Sequence, residues 1–233
     1  MSDATARLGL PYIAAAQAQK HVTHNAAIRQ LDALTQATLQ SLTLATPPGA
    51  PSDGQCWYVP WGATGVWAGR SGTIAAYEAG AWDFFTPPVG LRAYVQDERR
   101  VRVFDGGAFV SPLASSLHRA AVEAVVLEED VTLSGASRDT TILIPDRALV
   151  LGVSTRTLQA VTGAASYDCG LPAERTKFGG TLGIAVGATN VGVIGPTAFY
   201  AATAIRISAN GGSFTGGKVR VALHMLTLPA PAA

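Results

Sequence analysis

Hydrophobic and polar residues alternate along the last part of the chain, from about residue 125 onwards. Val219, Val221 and Leu223 are each separated by one residue, and residues 205–208 follow the same spacing. A period of two is typical of β-strands that bury one face. About seven or eight such segments occur, separated by glycine-rich turns. The pattern predicts an antiparallel β-sandwich, jelly-roll-like, over residues 125–233.

A different pattern precedes it near the start of the chain. Asn25 is a good helix N-cap, and the apolar residues that follow lie close to helical spacing: Ile28, Leu31 and Leu34. We expect a helix of about fifteen residues that ends before the Thr-Pro-Pro-Gly linker at 46–49. One amphipathic helix cannot bury its apolar stripe alone, so the predicted helical segment 1–46 must pack on the rest of the chain or on a partner.

An internal repeat lies between these two regions. Residues 54–59 are echoed by 90–95, and residues 74–82 are echoed by 101–109. Each copy is a strand, a loop, a second strand, a tight glycine-containing turn and an aromatic residue. The repeat predicts a small β-module over residues 47–112.

All four tryptophans of the chain fall in this predicted β-module. Trp57 and Trp82 occupy strand positions of the repeat, and we expect them in its core, since a small β-module needs large aromatic residues to form one. Trp61 and Trp67 lie in a glycine-rich insertion, where packing and exposed contact with a ligand such as a sugar are both open interpretations.

The stretch at residues 113–124 contains no helix-breaking glycine or proline. It predicts a helical connector between the repeat module and the sandwich. The whole chain is therefore expected to be mainly β, with helix confined to the N-terminal segment and this connector.

Charge and composition limit the classes of function that we expect for this chain. The chain has 14% charged residues and a net charge of +1, so it lacks the basic surface typical of nucleic-acid binding. No apolar stretch is long enough for a membrane span, and the N-terminus does not resemble a signal peptide. We therefore expect synthesis in the cytoplasm. Cys56 and Cys169 lie far apart and outside metal-binding spacings, which favours two buried free thiols.

Residues for catalysis do not assemble in the sequence. His21 and His24 could share one helix face, but no third metal ligand accompanies them at a suitable spacing. Nucleophile, zinc-protease and phosphate-loop motifs are missing. Asp168 and Glu174 could act as a carboxylate pair in glycoside hydrolysis, which keeps a hydrolase as a minor alternative. The sequence favours a non-enzymatic protein without metal or cofactor.

Two polar, irregular segments of the predicted sandwich are candidates for ligand binding. Loops on a rigid β-scaffold often carry binding sites, and hydroxyl-rich ligands are held by polar side chains beside an aromatic ring. The first segment spans residues 166–178 and the second spans residues 195–200. Their candidate glycan-binding residues are Tyr167, Asp168, Glu174, Arg175, Lys177, Phe199 and Tyr200. The alternative is that both loops only cover an end of the sandwich.

The N-terminal sequence resembles a known family. Residues 10–25, which contain the unusual run Gln-Lys-His-Val-Thr-His-Asn, and residues 31–34 are similar to a domain of formerly unknown function in prophages and gene transfer agents of alphaproteobacteria. The repeat module is similar to the continuation of this domain, so the resemblance covers residues 8–112. Residues 203–208 and 216–224 resemble, more weakly, the C-terminal part of gene-transfer-agent fibre or spike proteins.

The resemblance implies a tail fibre or head spike on the surface of a phage-like particle. Such a protein would adsorb the particle to a recipient cell by binding its capsular or surface polysaccharide. It implies attachment to other particle proteins through the N-terminal segment and a homo-oligomer, with a trimer favoured. It supplies no catalytic residues. Two alternatives remain: a purely structural connector of the particle and a polysaccharide depolymerase.

Overall fold

The computed structural model describes residues 4–8, 10–12 and 20–231. The chain forms two compact units, Met1–Ser111 and Pro112–Ala233. Strands make up most of the regular structure in both, which confirms the predicted mainly β fold.

The helix α1 of the first unit spans Lys20–Leu34. The predicted helix start was wrong, because Asn25 lies inside α1 rather than at its N-cap. The predicted length of about fifteen residues is confirmed, but the helix ends well before the linker at 46–49, since the strand β1 follows at Ala37–Leu39. Gln36, just after the helix, has a positive φ of 46°, and the burial of Ala37 and Leu39 on either side of the half-buried Thr38 is typical of a strand.

Residues 5–8 fold back onto the end of this helix. The Arg7 guanidinium donates to the main-chain oxygens of Asp32 and, at 2.7 Å, of Gln36. A cation bound to the last carbonyls of a helix stabilises its negative end. The buried Asp32 carboxylate accepts hydrogen bonds from the Thr5 hydroxyl at 2.8 Å and the Leu8 amide at 2.6 Å. Residues 4–8 are thereby fixed to the helix.

A seven-stranded sheet forms the rest of the first unit, in the order β4-β3-β2-β1-β5-β6-β7. The strand β1 is parallel to both of its neighbours, and the other pairs are antiparallel. Two three-stranded antiparallel meanders therefore flank β1, one for each copy of the predicted repeat. Their strands are β2 (Cys56–Tyr58), β3 (Ile74–Glu78), β4 (Ala81–Phe85), β5 (Arg92–Val95), β6 (Arg100–Phe104) and β7 (Phe109–Val110).

Main-chain hydrogen bonds at matching positions of the two copies confirm the predicted repeat. The Gly54 amide donates to the Tyr77 carbonyl at 2.8 Å, and the Gly90 amide donates to the Phe104 carbonyl at 2.8 Å. Both glycines have positive φ, 83° and 87°, a conformation in which glycine alone avoids strain. The two copies thus share the turn that leads into their first strand.

Three of the four tryptophans pack against each other beside this sheet. Trp57 and Trp67 are buried, and the Trp82 ring lies 5.5 Å and 5.1 Å from theirs, edge to face. The expected core positions of Trp57 and Trp82 are confirmed. Trp67 also packs in the core, whereas Trp61 is 86% exposed.

The second unit contains nine strands in two antiparallel sheets. One sheet has the order β14-β11-β16-β9-β8, and the other has the order β10-β15-β12-β13. The strands are β8 (Pro112–Ser115), β9 (Ala121–Thr132), β10 (Ser137–Ile144), β11 (Leu149–Thr162), β12 (Ser166–Gly170), β13 (Gly179–Leu182), β14 (Thr189–Ala198), β15 (Thr203–Asn210) and β16 (Gly216–Thr227).

The predicted helical connector over residues 113–124 was wrong. This stretch forms β8, a turn and the start of β9, which pair with each other as a hairpin. Arg119 adopts a positive φ of 62° in the turn. The strand β9 then pairs with β16 from Glu123 to Thr132. These hydrogen bonds outweigh the helix propensity of the alanine-rich sequence.

The pairing of the second unit is nested: β9 pairs with β16, β10 with β15, β11 with β14 and β12 with β13. A long antiparallel hairpin has thus been wrapped into two facing sheets, which is the topology of a jelly roll. Residues from both sheets, such as Val153 and Leu223 from one and Ile205 and Ile207 from the other, form one buried core. The alternation seen in the sequence therefore sets the inward faces of the sandwich.

Candidate functional site

The predicted loop at residues 166–178 is held in place by a buried carboxylate. Asp168 on β12 accepts hydrogen bonds from Arg175 Nε at 2.6 Å, Asn210 Nδ2 at 2.7 Å and the Thr181 amide at 2.8 Å. Burial alone would raise the pKa of Asp168, but these three donors outweigh it and lower the pKa below its usual value. Asp168 therefore fixes the loop to β13 and β15 as a structural anion.

Tyr167 was predicted as an aromatic platform for a ligand, and this assignment was wrong. Its ring is only 1% exposed and belongs to the sandwich core. The Tyr167 hydroxyl lies 3.2 Å from Thr157 Oγ1. The strand β12 lies between two other strands and buries four of its five residues. Tyr167 is one of these four and packs in the sandwich core.

The remaining predicted residues of this loop pair with each other at the surface. Lys177 Nζ donates to Glu174 Oε2 at 2.9 Å, and Glu174 is well exposed. Arg175 is half exposed but is bound to Asp168 and, at 2.6 Å, to Asn210 Oδ1. Asp168 and Glu174, the carboxylate pair considered for hydrolysis, are thus each paired with a different cation, Arg175 and Lys177.

The second predicted loop does not join the first. Phe199 is buried, while Tyr200 is 83% exposed and comes just before β15 begins at Thr203. Arg175 binds at Asn210, where the same strand ends. Seven residue steps of a β-strand span about 23 Å, so the two loops lie near opposite ends of β15. The two candidate loops therefore do not come together in one site.

A different concave feature lies on the outer face of the five-stranded sheet. We call it the outer trough and define it by Gly152, Ser154, Val191, Val193, Ala222 and His224. The cavity beside Gly152, Ser154, Val191, Val193 and His224 has a volume of about 260 Å³, and an adjoining cavity of about 400 Å³, which Ala222 lines, extends it past Arg156 and Arg220. The larger of the two volumes lies within the range of small-molecule sites.

The register of three strands builds the outer trough. Gly152 on β11 pairs with Val193 and His224, and Ser154 pairs with Val191 and Ala222. Paired residues face the same side of a sheet, so small residues on the central strands lie between larger ones. Val191 and Val193 on the outermost strand β14 are 74% and 76% exposed and form an apolar wall.

Polar groups lie along the same face. Ser154 Oγ lies 2.9 Å from His224 Nε2 at the floor. In the adjoining cavity Arg220 binds both carboxylate oxygens of Asp130, at 2.6 Å and 2.8 Å, and approaches Glu128 at 3.5 Å. Arg156, which is paired in register with Arg220, makes no ion pair with any residue that the structure describes. The trough therefore offers hydroxyl, imidazole and guanidinium groups beside aliphatic carbon.

The thiols and histidines do not form a second site in the described part of the chain. Cys56 and Cys169 are both buried and unpaired, as the sequence predicted, and burial raises their pKa values to about 11 and about 12. Thiols held protonated in this way are poor nucleophiles. Groups of three metal-binding side chains do not occur among residues 4–8, 10–12 and 20–231. The His21 side chain lies outside the described residues.

The fold defines the second unit as a jelly roll with an open trough on one sheet. Comparison with known proteins adds a family for part of the first unit: residues 24–110 match the family described as a protein of unknown function, DUF2793. Curated proteins give no match.

Among solved structures, a chain titled "Cyanophage Pam1 capsid asymmetric unit" is similar to this one. The aligned region covers 51% of this chain and 94% of that chain. The two share 20% identity at a TM-score of 0.39, which is too low to transfer a function. Within the described residues, we find no helix that is long and apolar enough to cross a membrane.

Proposed function

We propose that this chain is a non-enzymatic surface subunit of a phage-like particle, a fibre or head spike that adsorbs the particle to cells by binding their capsular polysaccharide. The observation that carries the proposal is the nested pairing of the eight strands from β9 to β16. This pairing is that of a jelly roll, an architecture that recurs in viral capsid proteins and in lectin domains. A fold does not determine a function, so the particle setting rests also on the sequence resemblance over residues 8–112.

The two units suggest a division of labour. The first unit carries the segment that resembles the prophage and gene-transfer-agent family, and we assign it attachment to other particle proteins. Apolar side chains that remain exposed on α1, Val22 and Leu31, support such a contact. We assign binding of the glycan to the second unit. Weak single-site binding to a sugar becomes firm adhesion when several copies engage one capsule, which favours a homo-oligomer such as a trimer.

A structural connector is the second candidate, and one observation favours it. The strand β14 lies at the end of its sheet, carries no charged residue and exposes Val191 and Val193. Exposed apolar edge strands are readily covered by another protein chain. In that case the second unit would bind a particle protein instead of a glycan.

Two measurements test the proposal with the full chain. Immunogold labelling of purified phage-like particles is expected to place the protein on their surface, and unlabelled particles would disprove the particle setting. Fluorescently labelled protein is expected to bind capsulated alphaproteobacterial cells well above an acapsular strain. Equal binding to both strains, with the particles labelled, would favour the connector.

A further inference from the structure

We propose that the outer trough is the glycan site and that its ligand is an acidic oligosaccharide, with Arg156 binding a sugar carboxylate. The inference deepens the proposed function and rests on it. It moves the site away from the loops at 166–178 and 195–200, onto the face formed by β9, β11, β14 and β16.

The shape of the trough is suited to an extended chain of sugar rings. Its floor consists of Gly152, Ser154 and Ala222, and the wall of exposed valines rises on β14. The adjoining cavity shares Ser154 and Val191 with it, so the two lie end to end along β11 and form an open channel parallel to the strands. A linear polymer can lie in such a channel without having an end bound.

The chemistry of the channel also fits a carbohydrate. A sugar ring presents hydroxyl groups at its rim and C–H groups on its faces. Val191 and Val193 offer aliphatic contact to the C–H faces. The Ser154–His224 pair, bonded at 2.9 Å, holds a hydroxyl and an imidazole in fixed positions for hydrogen bonds to sugar hydroxyls. Groups held in place before binding lose little conformational entropy when the ligand arrives.

The charges favour an acidic sugar over a neutral one. Asp130 and Glu128 are both engaged by Arg220, and Lys218 also lies near enough to act on Asp130. The two acids, Asp130 and Glu128, and the two bases, Arg220 and Lys218, therefore cancel in formal charge. Arg156 adds a positive charge that the described residues leave unpaired, and its planar guanidinium can bind a carboxylate through two parallel hydrogen bonds.

Three variants of the full chain test this site. Arg156→Gln removes the cation, and Ala222→Trp fills the floor of the trough. Arg147→Gln is the control, because Arg147 is highly exposed in the same unit but lies in the turn before β11, outside the trough. The probe is capsular polysaccharide purified from the recipient cells, used in its native form and after chemical reduction of its carboxyl groups.

We expect Arg156→Gln and Ala222→Trp each to weaken binding of the native polysaccharide by about tenfold or more, while Arg147→Gln binds like the unmodified chain. Carboxyl reduction should weaken binding by the unmodified chain to a similar degree. All three variants should keep the same melting temperature, because the altered side chains face outward.

Several results would overturn the inference. If the unmodified chain binds and both trough variants bind equally well, the site lies elsewhere although the proposed function stands. Equal binding of native and reduced polysaccharide would disprove the acidic ligand. A lower oligomer mass for Ala222→Trp, with glycan binding intact, would show that a second copy covers the trough. If the unmodified chain binds neither polysaccharide nor capsulated cells, the proposed function itself fails.

Discussion

At the scale of single residues, Asp168 shows the limit of reading function from polarity. An acid, an arginine and a tyrosine in one irregular segment suggested a ligand site. In the structure the same groups hold the loop itself, since the carboxylate is buried among three donors and the tyrosine lies in the core. A sequence gives the residue types of a polar cluster, but it cannot show whether they face a ligand or each other.

The first prediction concerns this carboxylate. Because the pKa of Asp168 is lower in the folded chain than in the unfolded chain, where it is near 3.9, ionised Asp168 stabilises the fold above that value. Its contribution disappears as the pH falls through the lower, folded-state pKa. We expect Asp168→Asn to lower the free energy of unfolding by about 2 kcal/mol at pH 7 and the difference to shrink below about pH 4.

Urea denaturation of both proteins between pH 3 and pH 7 measures this difference. Asp146→Asn is the matched control, because Asp146 is exposed and its contact with Arg147 is 3.5 Å long. Such surface pairs contribute about 0–1 kcal/mol. A difference for Asp168→Asn that stays constant down to pH 3 would contradict the proposed role of its charge.

At the scale of elements, period-two alternation identified strands such as β15 and β16 and their inward faces, but residues 195–198, predicted as part of a loop, belong to the strand β14. Val219, Val221 and Leu223 are all buried, as their spacing predicts. The same reasoning failed over residues 113–124, where the absence of a breaker suggested a helix. The end of this stretch forms a strand because it pairs with β16. The partner strand lies about one hundred residues away, so the local sequence carries no signal of this pairing.

The second prediction concerns the close approach between β14 and the end of the 171–178 loop. A Cβ at Gly192 would lie 1.8 Å from the Phe178 carbonyl oxygen, so a side chain cannot fit without a main-chain shift. We expect Gly192→Ala to destabilise the fold by about 2 kcal/mol or more. Gly195 on the same strand has no described atom within 4 Å of such a Cβ, so Gly195→Ala should change stability by less than about 0.5 kcal/mol.

Thermal unfolding followed by circular dichroism compares these two variants with the unmodified chain. If both glycine variants melted at the same temperature as the unmodified chain, β14 would not approach Phe178 as closely as described. Equal losses in both would instead reflect a general intolerance of β14 to alanine.

At the scale of the whole molecule, the number of short strands was enough to predict a jelly-roll-like sandwich, and the repeat was enough to predict a small β-module with two similar halves. The outer trough could not be predicted in this way. Its residues come from β11, β14 and β16, and only the register between these strands places Gly152 beside Val193 and His224. Alternation shows which residues face outward, but not which of them are neighbours.

The third prediction is that residues 112–233 fold without the first unit. Among the described residues, the sandwich core is formed by residues of this range alone, and both of its sheets lie within the range. We expect the isolated fragment to unfold in one cooperative transition in urea, followed by circular dichroism. A fragment that shows no cooperative transition would mean that its core needs residues 1–111.

The nested pairing has a consequence for how the protein is made. Because β9 pairs with β16, and Val125 lies opposite Met225, the first long strand of the sandwich has to wait for the last one to leave the ribosome. At about 5–20 residues per second, this interval lasts many seconds. The first unit can form during that time, whereas the sandwich folds in a single late step that a frameshift or stop codon before β16 would abolish.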